Sequence, residues 1–466
     1  MALTGPERFG EPSPDLKYRN YVGVDLVAGR TLVGKTLNVG MLGCGHVGAE
    51  VARLLVANAS DLASRAGVPL ILTKIAVRDL TIDRPGIPRE LFTTDSESIV
   101  NDPDIDLVIE VMGGIEPAHQ LILTAMKNGK AVVTANKALL AHHGAELFHA
   151  SDEADVDFYY EAAVAGAIPI LRPLAESLVG DHVERVMGII NGTTNFILTK
   201  MHEHPGFSFA DALKEAQELG YAEADPTADV EGFDAAAKAA ILAGLSFHSV
   251  VTDADVYREG ITKITAEDVA VVQDMGFVIK LLAIAEANEA HGSREETITV
   301  RVHPTAIPKT HPLASVREAF NAVFVQCQSA GELMFYGRGA GGAPTASAIL
   351  GDLVAVARNR NEGSLGPTET DYADLDIAPI GVARTRYLIR LHVSDRPGVL
   401  ASVAQTFAAN AVSIMTVRQS GAENNAELTV MTHIAAESDL ANTVKDLEKL
   451  DAVSDVVSVI RVEGIR

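Results

Sequence analysis

An acidic segment that runs into an alanine-rich stretch carries the strongest chemical signal in this sequence. Residues 220–234 (GYAEADPTADVEGFD) precede AAAKAAILAGL, so that Asp234 and Lys238 are four positions apart. This spacing puts a carboxylate and an ammonium on one face of a helix. Because alanines and aliphatic residues surround Lys238, we expect the helix to be buried. Buried charges are costly unless they are paired or functional, so we predict a catalytic pair and not a solvated helix start.

A glycine-rich segment near residue 45 has the spacing of a dinucleotide-binding loop. It follows the strand-like LNVGML and opens a helical stretch, which is the context in which G-x-G-x-x-G holds a pyrophosphate at a helix N-terminus. We favour this interpretation over an ordinary strand-to-helix turn. The predicted loop residues are Gly43, Cys44, Gly45, His46, Val47 and Gly48.

The end of the second predicted strand bears on the choice of cofactor. A carboxylate there binds the ribose 2′-hydroxyl of NAD, whereas an arginine accommodates the 2′-phosphate of NADP. The sequence has Arg78 followed by Asp79, so the signal is mixed. From Arg78 we predict NADP(H), with NAD(H) as the alternative; a solvated turn residue is nearly as good an explanation of Arg78.

Two further polar segments stand at strand-to-helix junctions, where open α/β sheets bind ligands. Lys137 follows the fourth predicted strand, although a lone lysine at such a position more often reaches solvent. Residues 191–194 (NGTT) follow another strand, and their hydroxyls either cap the next helix or bind a polar substrate. The residues alone leave both alternatives open.

The apolar pattern predicts the elements that must position these groups. Short apolar runs alternate with helical stretches over residues 36–155, which predicts an α/β fold with a Rossmann-type doubly wound parallel sheet. Over residues 156–335 the pattern changes to strand candidates separated by long helices, such as 265–290. There we expect an α+β catalytic and dimerisation domain.

The C-terminal part predicts a separate small domain. A Gly-rich loop and helix at 336–358 are expected to return to the nucleotide-binding domain, and the polar residues 359–384 read as a linker. Residues 385–466 have the order β-α-β-β-α-β, which is typical of a ferredoxin-like domain. Residues 1–35 form a polar N-terminal extension.

Length, charge and cysteine content limit the classes of protein. A chain of 466 residues predicts two to four domains. The formal charge of −24 disfavours nucleic-acid binding, and no apolar run approaches the ~20 residues that a membrane helix needs. Only two cysteines and the lack of a signal-peptide pattern predict a cytoplasmic location.

The 14 histidines raise the question of a metal site. The closest groups are His142, His143 and His149, and then His202 and His204. Neither group has the spacing of a zinc protease. We therefore interpret them as residues of solvated helix ends.

Taken together, the motifs resemble the homoserine dehydrogenase family over residues from about 37 to 357. The matching segments, in the family's order, are GCGHVG, VVTANKALLA, YEAAVAGAIPI, GIINGTTNFIL, GYAEADPTADVEGFDAAAKAAIL and GRGAGGAPTASAILGD. The segment LHVSDRPGVLASVAQTFAANAVSI is similar to an ACT domain, which in several amino-acid pathway enzymes binds an end product. The resemblance implies NAD(P)-dependent interconversion of L-homoserine and L-aspartate 4-semialdehyde.

The resemblance also assigns roles to residues of the active site. It implies that Lys238 exchanges a proton with the substrate oxygen and that Lys137 lies beside substrate and nicotinamide. The implied substrate-binding residues are Glu223, Asp234, Thr193, Tyr221 and Gly220, and the implied cofactor-binding residues beyond the glycine-rich loop and Arg78 are Thr134, Lys137, Gly339 and Gly342.

Two further ligands follow from the resemblance alone. A monovalent cation, usually sodium, would be bound largely by backbone carbonyls at Glu161, Val164, Gly166 and Ile168. L-Threonine is the expected effector of the ACT segment, near Asp395, Gly398 and Asn410, at the helix N-terminus and its facing strand. Because ACT domains commonly pair, we also expect a homodimer or tetramer.

Two competing functions are considered. Another ACT-bearing hydroxy-acid dehydrogenase would rely on a histidine paired with a carboxylate, and no histidine here lies in such a sequence cluster. A non-catalytic nucleotide- and amino-acid-sensing regulator would keep the glycine-rich loop but would not need Asp234 and Lys238.

Overall fold

The computed structural model describes residues 35–288, 296–367, 373–421 and 426–465. The expected N-terminal extension, except for its last residue, and residues 368–372 of the expected linker lie outside the described residues. Among the helices of the described ranges, none is long and apolar enough to cross a membrane.

The first unit is a six-stranded parallel sheet covered by helices. Its elements in chain order are β1 (Leu37–Leu42), α1 (His46–Ala57), α2 (Ala59–Ala66), β2 (Leu70–Ala76), β3 (Phe92–Thr93), α3 (Glu97–Val100), β4 (Leu107–Glu110), α4 (Ala118–Lys127), β5 (Ala131–Thr134), α5 (Lys137–Ala154) and β6 (Phe158–Tyr159). The strand order is β3-β2-β1-β4-β5-β6. This is the doubly wound order in which a crevice opens between the carboxyl ends of β1 and β4.

The central strands of this sheet are buried because helices pack on both faces. All residues of β4 and β5 are buried, and all but the last residue of each strand are apolar, which fits strands without a solvent face. The carboxyl ends of β1, β4 and β5 therefore meet at one edge of the sheet. The loop before α1 and the start of α5 both lie at that edge.

The second unit combines a mixed sheet with a layer of helices. Its elements are β7 (Val183–Ile189), α6 (Gly192–Glu203), α7 (Phe209–Glu218), α8 (Thr227–Val230), α9 (Phe233–Phe247), β8 (Tyr257–Arg258), α10 (Ala266–Asp274), β9 (Phe277–Asn288), β10 (Thr297–Pro308), β11 (Phe320–Cys327) and β12 (Gly331–Arg338). The order β12-β11-β7-β9-β10 is antiparallel throughout, and short β8 adds to β10 in parallel. Helix α9 packs against β7, β9 and β10.

The long helix expected over residues 265–290 is wrong. Helix α10 ends at Asp274, and Gly276 follows with a φ of 88°, a left-handed conformation that favours glycine. The apolar run that comes next forms β9, whose first nine residues are buried between β7 and β10. A short apolar run of this kind is compatible with a buried helix and with a buried strand. Here the pairing with β7 and β10 makes it a strand.

After the second unit the chain returns to the first. Helix α11 (Gly342–Glu362) packs against α1 and α2, and its Ile349 and Leu353 lie in the hydrophobic core of the parallel sheet. The segment expected to be a linker is partly ordered, because β13 (Asp376–Ile377) pairs with β10.

The C-terminal unit has the ferredoxin-like arrangement. Its elements are β14 (Arg384–Val393), α12 (Val399–Ala409), β15 (Ile414–Ser420), β16 (Ala426–Thr432), β17 (Ala435–Ala436), α13 (Glu437–Leu447) and β18 (Val453–Val462). The four long strands are antiparallel in the order β18-β14-β16-β15. The predicted fold class is thereby confirmed for all three units.

The C-terminal sheet continues the sheet of the second unit. Strand β18 pairs in parallel with β10, through Thr305 opposite Arg461 and Ala306 opposite Val462. Buried charges reinforce this junction. In α10, Asp268 accepts hydrogen bonds of 2.5 Å from both Arg390 and Ser458, which belong to the C-terminal unit.

Candidate active site

Helix α9 places its acid and base in the interior. The side chains of Asp234 and Lys238 are only 5% and 11% exposed, because small alanines on either side let α9 pack closely. Lys238 Nζ lies 2.7 Å from Asp234 Oδ2 and donates a second hydrogen bond, of 2.9 Å, to the carbonyl oxygen of Ile190. The sequence-based expectation of a buried pair is met.

A second lysine reaches the same carboxylate from the other unit. Lys137, the first residue of α5, contacts Asp234 Oδ1, and its side chain is 43% exposed. Asn191 Nδ2 donates to Asp234 Oδ2 at 2.9 Å and to Asp229 Oδ1 at 2.6 Å. The Lys137–Asp234–Lys238 cluster therefore bridges the two units and opens to solvent on the Lys137 side.

The charges of this cluster act on one another. Burial by itself would raise the pKa of Asp234, but the ammonium groups of Lys238 and Lys137 hold that pKa well below its usual range. Burial lowers the pKa of Lys238; Asp234 opposes this shift, and Lys137 adds to it. A lysine with a lowered pKa exchanges protons more readily near neutral pH.

Residues 191–194 cap a helix and also hold the neighbouring loop. Asn191 Oδ1 accepts the backbone N–H of Thr194 at 2.8 Å, which caps α6. The Thr193 hydroxyl donates to the carbonyl oxygen of Tyr221 at 2.7 Å. Capping is thus observed, and Asn191 is in addition the amide that joins this segment to Asp234.

The other predicted substrate-binding residues lie on the loop between α7 and α8. Gly220, with a φ of 76°, ends α7 in the left-handed conformation. The Tyr221 ring packs 5.0 Å from the Phe196 ring and is 45% exposed. Glu223 is exposed and makes no ion pair with any described residue.

The glycine-rich loop has the geometry that a dinucleotide requires. Gly43 has a φ of 101°, and a Cβ there would lie 2.7 Å from the carbonyl oxygen of Val111. A Cβ on Gly48 would lie 2.7 Å from the carbonyl oxygen of Gly43, so only glycine lets α1 approach the strand. Around Gly45, the N-cap of α1, no described atom lies within 4 Å of such a Cβ, which leaves space for a pyrophosphate.

The remaining loop residues and the start of α11 complete this edge. Cys44 is buried, whereas His46 is exposed and Val47 is half-buried at the start of α1. A Cβ on Gly342 would lie 2.8 Å from His46 Nε2, so α11 begins beside α1. A Cβ on Gly339 would overlap the Asn321 amide.

Arg78 and Asp79, two residues shortly after β2 that bear on the choice of cofactor, differ in their surroundings. Arg78 is exposed, and its side chain has no hydrogen bond or ion pair with a described residue. Asp79 Oδ1 accepts two hydrogen bonds from Thr81. Sequence reasoning missed Arg84, whose Nε donates to the Cys44 carbonyl oxygen at 3.1 Å and thereby ties this turn to the glycine-rich loop.

Thr134 ends β5 at the carboxyl edge of the parallel sheet and binds a buried glutamate there. Its hydroxyl donates to Glu110 Oε2 at 2.6 Å. Glu110 Oε1 accepts backbone N–H groups of Met112 at 2.8 Å and Gly113 at 3.2 Å. Burial raises the pKa of Glu110. Glu110 was also missed, although a lone carboxylate ending an apolar strand (DLVIEVMGG) was a usable signal.

The predicted cation-binding segment is a buried turn with available oxygens. The carbonyl oxygens of Val164, Gly166 and Ile168 accept no hydrogen bond from the described residues. The Glu161 carboxylate, by contrast, accepts three backbone N–H groups from residues 170–172, so its side chain is already satisfied. The donor set fits a hard cation held by main-chain oxygens.

The predicted effector residues do not lie together within one chain. Asp395 and Gly398 are at the N-terminus of α12, where Gly398 is the N-cap. Asn410 is the C-cap of the same helix and donates to Asp446 Oδ2 at 3.1 Å. Because α12 has 11 residues, its two ends are about 16 Å apart, so Asn410 does not lie beside Asp395 and Gly398 within the chain.

The fold and the site together define a class of protein. A dinucleotide-type loop and a lysine lie at one edge of a parallel sheet, and a second unit brings a buried lysine–carboxylate pair to that lysine. This is the arrangement of a nicotinamide-dependent dehydrogenase.

Comparisons with known proteins identify the family. Residues 43–161 match the NAD-binding domain of homoserine dehydrogenase, 169–354 match homoserine dehydrogenase, and 387–452 match the ACT domain. The chain is 54% identical to a homoserine dehydrogenase of Mycobacterium bovis, over 92% of this chain and 98% of the relative. A homoserine dehydrogenase structure from Thiobacillus denitrificans aligns with a TM-score of 0.86 and 42% identity, covering 92% of this chain and 98% of that one.

The chain belongs to the homoserine dehydrogenase family and is an oxidoreductase with a C-terminal ACT domain. A hyperthermophilic archaeal homoserine dehydrogenase solved in complex with NADPH covers 69% of this chain at 26% identity and a TM-score of 0.57. These matches set aside both a different hydroxy-acid dehydrogenase and a non-catalytic regulator.

Proposed function

We propose that Lys238 exchanges the proton in the interconversion of L-homoserine and L-aspartate 4-semialdehyde, with NADP(H) as the preferred cofactor. The observation that carries this proposal is the buried Lys238, hydrogen-bonded at 2.7 Å to Asp234 and facing the Lys137 of the nucleotide-binding unit. A nicotinamide cofactor held at the glycine-rich loop 43–48 would supply the hydride exchange with the substrate carbon.

The chain's own residues handle the charge on the substrate oxygen. In the reduction, that oxygen becomes negative, and the Lys238 ammonium stabilises it and donates a proton. In the oxidation, neutral Lys238 accepts the hydroxyl proton. The lowered pKa of Lys238 favours this neutral form, while Lys137 supplies a fixed positive charge beside the reacting centre.

Carboxylates on the second unit are suited to the substrate's ammonium group. Glu223 is exposed and has no ion-pair partner among the described residues, so its charge is available. Asp234 already accepts hydrogen bonds from two lysines and Asn191. It would therefore bind the substrate's ammonium group only together with Glu223. Thr193, Tyr221 and Gly220 fix the loop that carries Glu223.

The remaining parts of the proposal concern ligands and setting. A sodium ion would lie on the main-chain oxygens of the turn at 164–168 and neutralise their partial charges, holding the turn beside Gly339.

L-Threonine would bind near Asp395 and Gly398 and regulate the enzyme by feedback. Two buried free cysteines suit a reducing, cytoplasmic setting, and a homo-oligomer is expected from the ACT domain.

Replacement of Lys238 tests the central claim. Lys238→Ala should lower kcat by at least about 10²-fold, because a positioned proton donor contributes on that order. Cofactor affinity should stay nearly unchanged, because the glycine-rich loop is untouched. The measurements are initial rates with homoserine and NADPH binding by fluorescence.

The control is Lys214→Ala, which removes an exposed lysine of α7 in the same unit. It should leave kcat and KM unchanged. Near-normal turnover by the Lys238→Ala enzyme would remove the assigned proton-transfer role.

A further inference from the structure

Two histidines and a glutamate converge where α4 packs against α5, away from the lysine cluster. His119 Nε2 lies 3.1 Å and His143 Nδ1 lies 3.4 Å from the same oxygen, Glu146 Oε2. The ligand atoms of all three residues lie within 4.8 Å of one another. His143 lies at a kink within α5, where its φ of −129° departs from helical values, and its side chain is 35% exposed.

These distances match the edges of a metal coordination polyhedron. Zinc binds histidine nitrogen and carboxylate oxygen at about 2.0–2.2 Å in tetrahedral geometry, so that neighbouring ligand atoms are about 3.4 Å apart. The two measured separations lie at or just below that value. The third separation, between the two histidine nitrogens, is no more than 4.8 Å, so side-chain rotation brings all three atoms to one ion.

A second carboxylate orients the buried histidine from its other side. His119 is 6% exposed, and its Nδ1 lies 3.2 Å from Glu116 Oε1. Histidines that bind metal commonly donate their other N–H to a carboxylate. With Nδ1 of His119 donating to Glu116, Nε2 faces the Glu146 carboxylate, and either a proton or a metal ion fits between these two atoms.

The site is accessible from solvent. The rings of His119 and His143 stack with centroids 4.2 Å apart and an angle of 22° between their planes, so the partly exposed His143 must rotate out of the stack before both rings direct a lone pair at one ion. The side chains of His143 and Glu146 are 35% and 53% exposed, which gives an ion a path from solvent. The chain's formal charge of −24 favours cations near its surface.

We propose that His119, His143 and Glu146 bind one divalent transition-metal ion of the zinc class, with water in the fourth position. The ion cross-links α4 to α5 at a point six residues after Lys137, about 9 Å along the helix. This site is distinct from the main-chain oxygens at 164–168, because it offers nitrogen ligands and a carboxylate.

Metal binding to the full chain tests the proposal. The purified protein is stripped with a chelator, and Zn²⁺ is then titrated by calorimetry while Co²⁺ is followed by its visible absorption. Wild type should bind one equivalent in a saturable step, and Zn²⁺ should displace Co²⁺. His143→Ala and Glu146→Gln should each weaken the affinity by more than about tenfold, and Glu116→Gln by about 10- to 100-fold.

The matched control is His149→Ala on the same helix. His149 lies 3.3 Å from Glu153, so it is also a histidine beside a glutamate, but no third ligand joins them among the residues that the structure describes. This variant should bind metal as wild type does. Circular dichroism verifies folding, and Glu146→Gln changes an exposed side chain, so at least one variant stays informative.

The results that overturn the proposal are specific. If wild type shows no saturable Zn²⁺ binding, His119 only hydrogen-bonds the two carboxylates and the proposal fails. Equal affinity of wild type and of the His143→Ala and Glu146→Gln variants would place the ion elsewhere. Because these readouts do not use dehydrogenase activity, they are independent of the role proposed for Lys238.

Discussion

Lys238 and Lys137 approach Asp234 from different units, so a single carboxylate balances two ammonium groups. The cluster keeps an excess positive charge when both lysines are protonated, and this charge faces the place where a substrate oxygen becomes negative. The i,i+4 spacing and the alanine-rich helix were sufficient to predict the Asp234–Lys238 pair. The contact between Lys137 and Asp234 joins residues 97 positions apart, and no local sequence pattern predicts it.

Arg78 is the residue on which cofactor preference is expected to depend. Its side chain is exposed and makes no hydrogen bond or ion pair with described residues, so it is available to a 2′-phosphate. Arg78→Ala should weaken NADPH binding by about tenfold or more and NADH binding by much less, because only NADPH carries that phosphate. Dissociation constants from fluorescence titration measure both effects.

Arg84→Ala serves as the comparison for that experiment. Arg84 binds the Cys44 carbonyl oxygen and so supports the loop that both cofactors share. Its loss should weaken both cofactors to a similar extent. Equal losses for NADPH and NADH in the Arg78→Ala protein would refute the assignment to the 2′-phosphate.

At the level of elements, the four longer strands of the parallel sheet (β1, β2, β4 and β5) were predictable because each is a short apolar run. The two-residue strands β3 and β6 leave no such signal in the sequence. The α+β unit was harder. In β9 the continuous apolar run hides the alternation that marks a strand, and the position of Lys280 within it favours neither structure. The histidine–glutamate cluster was invisible for a similar reason, since His119 belongs to a different helix from His143 and Glu146.

Lys280 gives β9 a measurable pH signature. It is buried, donates to Asn195 Oδ1 at 2.8 Å and to the Val316 carbonyl oxygen at 2.5 Å, and burial lowers its pKa from 10.5 to about 7. Below pH 7 the lysine is charged in both the folded and the unfolded state, so the cost of burying the charge is fully present. Above pH 7 the folded state loses the proton first, and this cost is relieved until about pH 10.5.

The free energy of unfolding of wild type should therefore rise relative to that of Lys280→Met between pH 7 and pH 10. At about 1.4 kcal/mol per pH unit, the upper limit is about 4 kcal/mol. Urea denaturation of both proteins at several pH values measures the difference, in which titrations common to the two proteins cancel. A difference that stays constant with pH would show that Lys280 keeps its charge.

At the scale of the whole molecule, the sequence predicted three units but not their junction. The C-terminal unit was expected beyond a flexible linker, whereas β13 of that segment pairs with β10, and β18 extends the same sheet. Strand pairings of only two residues, and buried ion pairs, leave no periodic pattern in the sequence. They depend on residues brought together only after folding.

The ACT domain provides a prediction at this scale. L-Threonine should bind with measurable heat, and Asp395→Asn should weaken its binding by about tenfold, because a charge-assisted hydrogen bond to the ligand's ammonium is lost. Asp439→Asn, at the N-terminus of α13, is the control and should bind normally. Heat with another amino acid but none with threonine would discard threonine as the effector.

The shared sheet makes the C-terminal residues part of the catalytic unit's interior. Arg301, 1% exposed in β10, lies 3.3 Å from Glu463, and Arg185 of β7 lies 2.8 Å from the same carboxylate. A protein shortened before β14 would remove Glu463 from both guanidinium groups, leaving them to share Glu286, and would remove Arg390 from Asp268. Breaking buried ion pairs by the loss of one partner is strongly destabilising. An enzyme freed of its regulatory segment would therefore need compensating substitutions on β7, β10 and α10 before it could be used as a deregulated catalyst.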